Sequence, residues 1–514
     1  MGKLGIILVL DFGGQYCHLI GRRVRELKVY SEIAPPDMHP EEIRKFGEKY
    51  DVKGIILSGG PSSVYDKGVP RVDPAIFTLG IPVLGICYGH QLIAHTLGGK
   101  VKRASTREYG SAFVDVDRAM GMLSGLGPRE KVWMSHGDTV FKVPSGWKVL
   151  AHTDNCPVAA YVDPVRNIYG LQWHPEVIHT EHGQRMLRNF VRDICEAKAQ
   201  WNMNAFVRDS VKGIRDAVAN ERCIIGLSGG VDSSTAAVLA SKAIGKRLTA
   251  VFVDHGFMRE GEPEAIKKTF SKFPMKLICV NVRKRFFDKL KGIKDPEQKR
   301  NIIGHEFIRV FEEAAQKENA SYLMQGTIYP DRIESGFRKH SDKIKSHHNV
   351  AGLPTEIKFK AIVEPLRDLY KDEVRKVGTT VGLPKALVWR QPFPGPGLAV
   401  RIMGEITEEK TEIERKADHI VTTELESAKI KMPWQYFAVL TETRSTGVKG
   451  DSRAYGYVVA VRAVESREAM TASFTKIPYK VLERISTRIT NEIPQVNRVV
   501  YDITHKPPAT IEWE

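Results

Sequence analysis

Short apolar runs alternate with amphipathic stretches through the first 195 residues. The runs fall at residues 6–10, 54–57, 82–86 and Ile168–Leu171. Runs of that length, separated by helical periodicity, predict a mainly parallel sheet covered by helices. Residues 187–195 read as a closing amphipathic helix, and residues 196–204, EAKAQWNMN, as a connector. A second α/β pattern begins at Cys223–Leu227, an apolar strand that runs into Ser228-Gly-Gly230. A helix over Val231–Ile244 and a strand over 248–253 complete one βαβ unit. Residues 277–280 and 322–325 are further strand candidates. The Pro/Gly cluster at 391–397, QPFPGPG, marks a break. Beyond it, the alternation of YGYVVAVRAV at 455–464 predicts an antiparallel strand. The pattern predicts two parallel-sheet α/β domains, residues 1–198 and 199–390. A small α+β domain, 391–514, follows.

Bulk properties narrow the class. A length of 514 residues fits about three domains at roughly 100–200 residues each. No apolar run reaches about 18 residues, so no membrane span is expected. The opening MGKLGIILVLDFGGQY has a short apolar run but no small-residue cleavage pattern, and reads as a buried first strand. The six cysteines, at positions 17, 87, 156, 195, 223 and 279, form no CxxC pair. That spacing argues against a zinc site or a disulfide framework and for a reducing, cytoplasmic compartment. The formal net charge of +16 suits a partner rich in phosphate, whether nucleic acid or nucleotides.

Two segments carry candidate chemistry. Gly85-Ile-Cys-Tyr-Gly89 lies between an apolar strand and a helix-like stretch, a glycine-flanked nucleophile at a sharp turn. The helix N-terminus that follows favours a thiolate at Cys87. A lone cysteine is more often merely buried, so the partners matter. Gln172-Trp-His-Pro-Glu176 follows a strand, and an extended chain would point His174 and Glu176 to one side. Cys87, His174 and Glu176 make a nucleophile, a base and a group that orients the base. Residues 57–62, LSGGPS, can aim backbone amides at an oxyanion. Ser135-His-Gly-Asp138 reads as a polar turn.

In the second half, Ser228-Gly-Gly-Val-Asp-Ser-Ser234 ends a strand and opens a helix. Glycines and free helix amides there can wrap an anion. An aspartate would repel phosphate unless it holds a metal ion or orients the loop, which makes Asp232 a metal candidate. No GxxxxGK[ST] motif occurs, so the loop is not of the Walker type. The adjacent histidines of His347-His-Asn349 would point apart on a strand and read better as a polar loop than as a metal cluster.

ILSGGP, LGICYGHQ, MSHGD and LQWHPE resemble the class I, triad-type glutamine amidotransferases. The resemblance implies a flavodoxin-like domain in which Cys87 attacks the glutamine amide, His174 shuttles the proton and Glu176 orients His174. It also implies oxyanion donors at Gly59 and Tyr88, and glutamine binding by Gln91, Ser135, His136 and Asp138. SGGVDSS resembles the pyrophosphate loop of the ATP-pyrophosphatases, an adenine-nucleotide α-hydrolase-like fold. That implies ATP at Ser228, Gly229, Gly230, Asp232, Ser233 and Ser234, with Mg2+ and with Lys345 and Lys371 as further cations. VFVDHGFMR, GTIYPD, KSHHNV, FPGPGL and KPPATIEWE resemble the GMP synthetases, in the same order along nearly the whole chain. This implies GMP formation from XMP, with XMP at Arg259, Gly395, Gly397, Lys506 and Glu512, and a homodimer through the C-terminal domain. Ala351 and the stretch 335–342 depart from the family pattern. Glutamine-dependent synthetases for NAD or asparagine would have a different tail or amidotransferase half. An RNA-modifying protein would need no Cys87–His174–Glu176 set. The expected partners are therefore glutamine, ATP and XMP, with no nucleic acid and no membrane.

Overall fold

The computed structural model describes residues 3–336, 359–466 and 471–514. Lys345, Ala351 and most of the 335–342 stretch lie outside these residues. The chain divides into two compact units, one running to Phe206 and taking in a short later stretch from Ile333, the other holding the rest of the chain from Val207.

The first unit is built on a nine-stranded sheet. Its parallel half contains β1 (Leu4–Leu10), β2 (Tyr30–Ala34), β3 (Tyr50–Leu57) and β4 (Val83–Ile86). The antiparallel half contains β5 (Lys100–Val116), β6 (Arg129–Lys142), β7 (Lys148–His152) and β8 (Ala160–Asp163). β9 (Ile168–Leu171) joins the halves, parallel to β4 and antiparallel to β8. The order is β2-β1-β3-β4-β9-β8-β7-β5-β6. The four apolar runs seen in the sequence all lie in the parallel half or on its border. Those strands are covered on both faces and read as continuous apolar runs. β5 and β6 are long, half-exposed strands whose polar faces conceal them from that search. They also overturn one expectation: Ser135–Asp138 is not a turn but the middle of β6. Tyr109 pairs with Ser135 and Glu108 with His136, and the register shifts between Arg103 and Glu108.

The connector after residue 195 is tied back to this unit. The Trp201 amide donates to the Lys28 carbonyl at 2.9 Å, and the indole packs on Tyr30 with ring centroids 4.7 Å apart.

The second unit opens on a five-stranded parallel sheet of order β12-β11-β10-β13-β14. The strands are β10 (Cys223–Leu227), β11 (Leu248–Asp254), β12 (Lys276–Asn281), β13 (Tyr322–Met324) and β14 (Ala361–Val363). A four-stranded sheet follows, with β15 (Gln435–Lys449), β16 (Ser452–Glu465), β17 (Ser473–Phe474) and β18 (Val496–Asp502). β16 pairs antiparallel with β15, as its alternation predicts, and parallel with β18. One apolar cluster runs from Ile224, Val251 and Leu323 to Val421, Val459 and Ile485. The boundary expected at 390/391 lies inside this unit.

Candidate active site and nucleotide loop

The nucleophile turn forms because its glycines let three backbones meet. A Cβ on Gly85 would sit 2.5 Å from the Gly89 backbone, and one on Gly89 would sit 2.5 Å from the Leu57 carbonyl oxygen. Cys87 takes φ 55° and ψ −105°, a conformation costing a non-glycine residue on the order of 1–3 kcal/mol. Its amide donates to the Leu171 carbonyl at 2.8 Å, which anchors the turn to β9. The helix Tyr88–Thr96 then starts directly after the sulfur-bearing residue.

His174 and Glu176 are also brought here, although not by an extended chain. They lie in the loop after β9, where a turn through Pro175 sets His174 Nδ1 2.6 Å from Glu176 Oε1. That leaves the other ring nitrogen free to exchange a proton with the nearby Cys87 sulfur, whose charge acts on the ring. Burial works against charge on His174, but the Glu176 carboxylate and the Cys87 sulfur outweigh it. The imidazole pKa is raised well above its usual value. Glu176 is itself held from behind, since Arg23 Nε donates to its carbonyl at 2.9 Å. The edge of Tyr16 meets the His174 ring at a centroid distance of 5.1 Å.

Gly59 lies against this pair: a Cβ there would come within 3.0 Å of His174 Cε1 and 3.5 Å of Cys87 Cβ. The amides of Gly59 and Tyr88 have no hydrogen-bond partner among the described residues, as oxyanion donors require. Gly59→Ala is expected to displace His174. Glutaminase kcat should fall by about 10²-fold, the scale of a misplacement of about 1 Å. Steady-state glutamate release checks this.

The other glutamine-binding candidates turn out to be fastened to one another. The Gln91 side-chain amide donates to the Asp138 carbonyl at 2.8 Å and to Gln172 Oε1 at 3.2 Å. Ser63 donates to Asp138 Oδ2 at 2.5 Å. His136 is gripped at both ring nitrogens, by Glu108 Oε2 at 2.9 Å and the Asp138 carbonyl at 3.0 Å. His136 and Asp138 therefore shape β6 with their side chains, and the Ser135 carbonyl, 3.5 Å from Cys87 Sγ, is the group that faces the nucleophile. Glu108 and Ser63 escaped the sequence reading because isolated polar residues on strands and loops carry no pattern, and Gln172, although part of the LQWHPE motif, was given no role there. His90 is fully buried and stacked on Tyr161, and burial pushes its pKa down to about 3.

In the second unit, β10 leads into the Ser228–Gly230 turn and the helix Val231–Ile244. Ser228 and Ser233 share a hydroxyl–hydroxyl bond of 3.0 Å, and the Gly230 amide donates to Ser228 Oγ at 3.3 Å. Asp232 Oδ2 accepts from Lys371 Nζ at 2.5 Å, across 139 residues of sequence. Asp232 Oδ1 and Ser234 Oγ are buried without a partner among the described residues. Gly326 also closes on this helix, since a Cβ there would sit 2.9 Å from the Ser233 amide. Loop, carboxylate and lysine thus form one polar cluster at a helix N-terminus.

Three family models match the chain. One described as glutamine amidotransferase class-I matches residues 8–194, one described as NAD synthase matches 202–320, and one described as GMP synthase C terminal domain matches 423–513. Full-length relatives are similar throughout. Proteins described as glutamine-hydrolysing GMP synthase from Clostridium novyi and Geobacillus kaustophilus are each 54% identical over 512 residues. One from Caldicellulosiruptor saccharolyticus is 55% identical over the same length, and in all three cases 99% of each chain is covered. The chain belongs to the glutamine-hydrolysing GMP synthase family.

The residues that resemblance to GMP synthases singled out for XMP fall in the second unit, and the structure treats them unequally. Arg259 is mostly buried, with its Nε 3.2 Å from Asp418 and its guanidinium 4.5 Å over the Phe393 ring. Its Nε and Nη2 have no hydrogen-bond partner among the described residues. Glu512 grips Arg401 through both oxygens, each at 3.1 Å, and Arg401 reaches Asp418 at 3.1 Å. Arg259 and Glu512 thus belong to one buried charge cluster. Its neighbour Glu414 is wholly buried. Burial, and then Asp418, raise the Glu414 carboxyl well above the usual range. Gly395 is open, whereas Gly397 has a structural reason of its own: φ +66° and a Cβ position 2.3 Å from the Phe257 carbonyl oxygen. Lys506 is held by two-way backbone pairing with Ala472, at 2.8 and 3.0 Å. Arg390, which the sequence reading passed over, donates through Nη1 to the Gly229 carbonyl at 2.9 Å and to Glu262 at 2.7 Å.

Proposed function

We propose that the first unit hydrolyses glutamine and that the second uses the ammonia to convert XMP to GMP with cleavage of ATP to AMP and pyrophosphate. The observation that carries the first half is the Cys87–His174–Glu176 constellation, with His174 fixed at 2.6 Å from Glu176. Cys87 Sγ attacks the side-chain amide carbon, the Gly59 and Tyr88 amides receive the oxyanion, and His174 delivers a proton to the departing ammonia. His174 then takes a proton from the water that cleaves the thioester, releasing glutamate.

For the second half, the Ser228–Ser234 loop binds the ATP phosphates, and Lys371 sits where charge builds on departing pyrophosphate. A carboxylate with one buried, unpartnered oxygen fits Mg2+ bound jointly with nucleotide phosphates, since that ion needs only one or two protein carboxylates. Asp232 would hold it. The ion neutralises phosphate charge when bound. Arg259, Lys506 and Glu512 bind XMP, and the net charge of +16 serves substrates that carry several phosphates.

We also propose a cytoplasmic homodimer with three working domains. No helix among the described residues is long and apolar enough to cross a membrane. Exposed Tyr479, and Val500 on β18, line one surface hollow with Leu482 and Val499 and offer an apolar face for a second copy.

The purified protein, given ATP, Mg2+, glutamine and XMP, should form GMP, AMP and pyrophosphate in equal amounts. AMP without GMP, in the presence of excess ammonium, would reject XMP as the acceptor.

A further inference from the structure

The nucleotide loop and Arg259 are joined by a short chain of charged groups. Gly229 takes φ +74°, and its carbonyl turns to Arg390. The same Arg390 nitrogen donates to Glu262 Oε1, and Glu262 Oε2 accepts the Arg259 amide at 3.3 Å. Glu262 stands close against the loop, because a Cβ on Gly229 would lie 2.9 Å from Glu262 Oε1. An acid so near a phosphate loop opposes ATP binding unless a cation neutralises it, and Arg390 is that cation. The two side chains are only 20% and 7% exposed, so water screens the pair weakly. Phe393 adds a second link, with Arg259 at 4.5 Å and Arg390 at 5.8 Å from its ring centroid.

We propose that Arg390 and Glu262 are positioning residues that hold the Ser228–Ser234 loop and Arg259 in one frame, so that ATP and XMP bind cooperatively in the second unit. This rests on the reading of Arg259 as an XMP ligand. Neither residue touches the reacting atoms. Whichever nucleotide arrives first fixes Arg390 and Glu262, and the second then binds to groups already ordered.

The test is XMP binding to the full-length protein by calorimetry, with and without Mg2+ and the uncleavable α,β-methylene analogue of ATP. Wild-type protein should bind XMP about tenfold more tightly with the analogue present, within the usual range of coupling between two ligands. Arg390→Met and Glu262→Gln should reduce that ratio to below about twofold. Arg390→Lys should restore most of it, because one ammonium can donate to both the Gly229 carbonyl and Glu262. An unchanged ratio in Arg390→Met and Glu262→Gln overturns the proposal. So does failure of the lysine variant to recover coupling, or loss of XMP binding by both variants whether or not the analogue is present. Wild-type protein that binds the analogue but never XMP would refute the acceptor reading itself.

Discussion

Cys87→Ala should abolish glutamine-dependent GMP synthesis, by about 10⁴-fold or more, and leave ammonium-dependent synthesis close to wild type. The size follows from the chemistry. The alanine has no nucleophile, and neither His174 nor the free amides of Gly59 and Tyr88 can form the covalent intermediate alone. The selectivity follows from the fold. Every group that orders Cys87 belongs to the first unit: the Leu171 carbonyl, Gly59, Ser135 and His174. The substitution also relieves little packing, since it deletes one sulfur atom. Glutamate release, and GMP formation from saturating ammonium, are measured side by side. Parallel loss of both activities would show that Cys87 serves more than ammonia production. Glu176→Gln offers a graded companion. It removes the negative charge that raises the His174 pKa while keeping the shape, so glutaminase kcat should fall, with the KM for glutamine little changed.

How much of this was legible in the sequence depended on periodicity. β1, β3, β4, β10 and β11 were legible because burial on both faces leaves continuous apolar runs, whereas the parallel strands β2, interrupted by Ser31 and Glu32, and β14, short and half-exposed, were not. The nucleophile turn was legible because a glycine on each side of Cys87 has a steric meaning that survives in one dimension. The partner loop was legible only in part. His174 and Glu176 were paired correctly, but by a turn through Pro175 instead of by strand alternation. Ser135–Asp138 was misread because β6 alternates polar residues through its middle and includes a glycine, which together mimic a loop. The Lys371–Asp232 contact spans 139 positions, and no local pattern announces it. Arg390 and Glu262 were missed for the same reason. Their role exists only once the positive-φ turn at Gly229 presents its carbonyl.

Asp232→Asn should cut pyrophosphate release by about 10³-fold with either glutamine or ammonium as nitrogen source, which corresponds to about 4 kcal/mol of barrier. Stability cannot account for a loss of that size. Lys371 is about half exposed and Asp232 about a quarter exposed, and a pair of that kind contributes only about 0–1 kcal/mol. The alternative is that Asp232 merely holds Lys371 in place. Lys371→Met would then cost as much as Asp232→Asn, and the double variant would cost no more than either. If instead the unpartnered Oδ1 works on bound nucleotide through Mg2+, Asp232→Asn should be the more damaging change. It should also raise the Mg2+ concentration needed for half-maximal pyrophosphate release, which Lys371→Met should leave unchanged. Labelling of Cys87 by iodoacetamide at the wild-type rate would confirm that the first unit is intact in each variant. Retention of full pyrophosphate release by Asp232→Asn would remove Asp232 from the reaction and leave the serine hydroxyls and backbone amides of the loop to bind phosphate unaided.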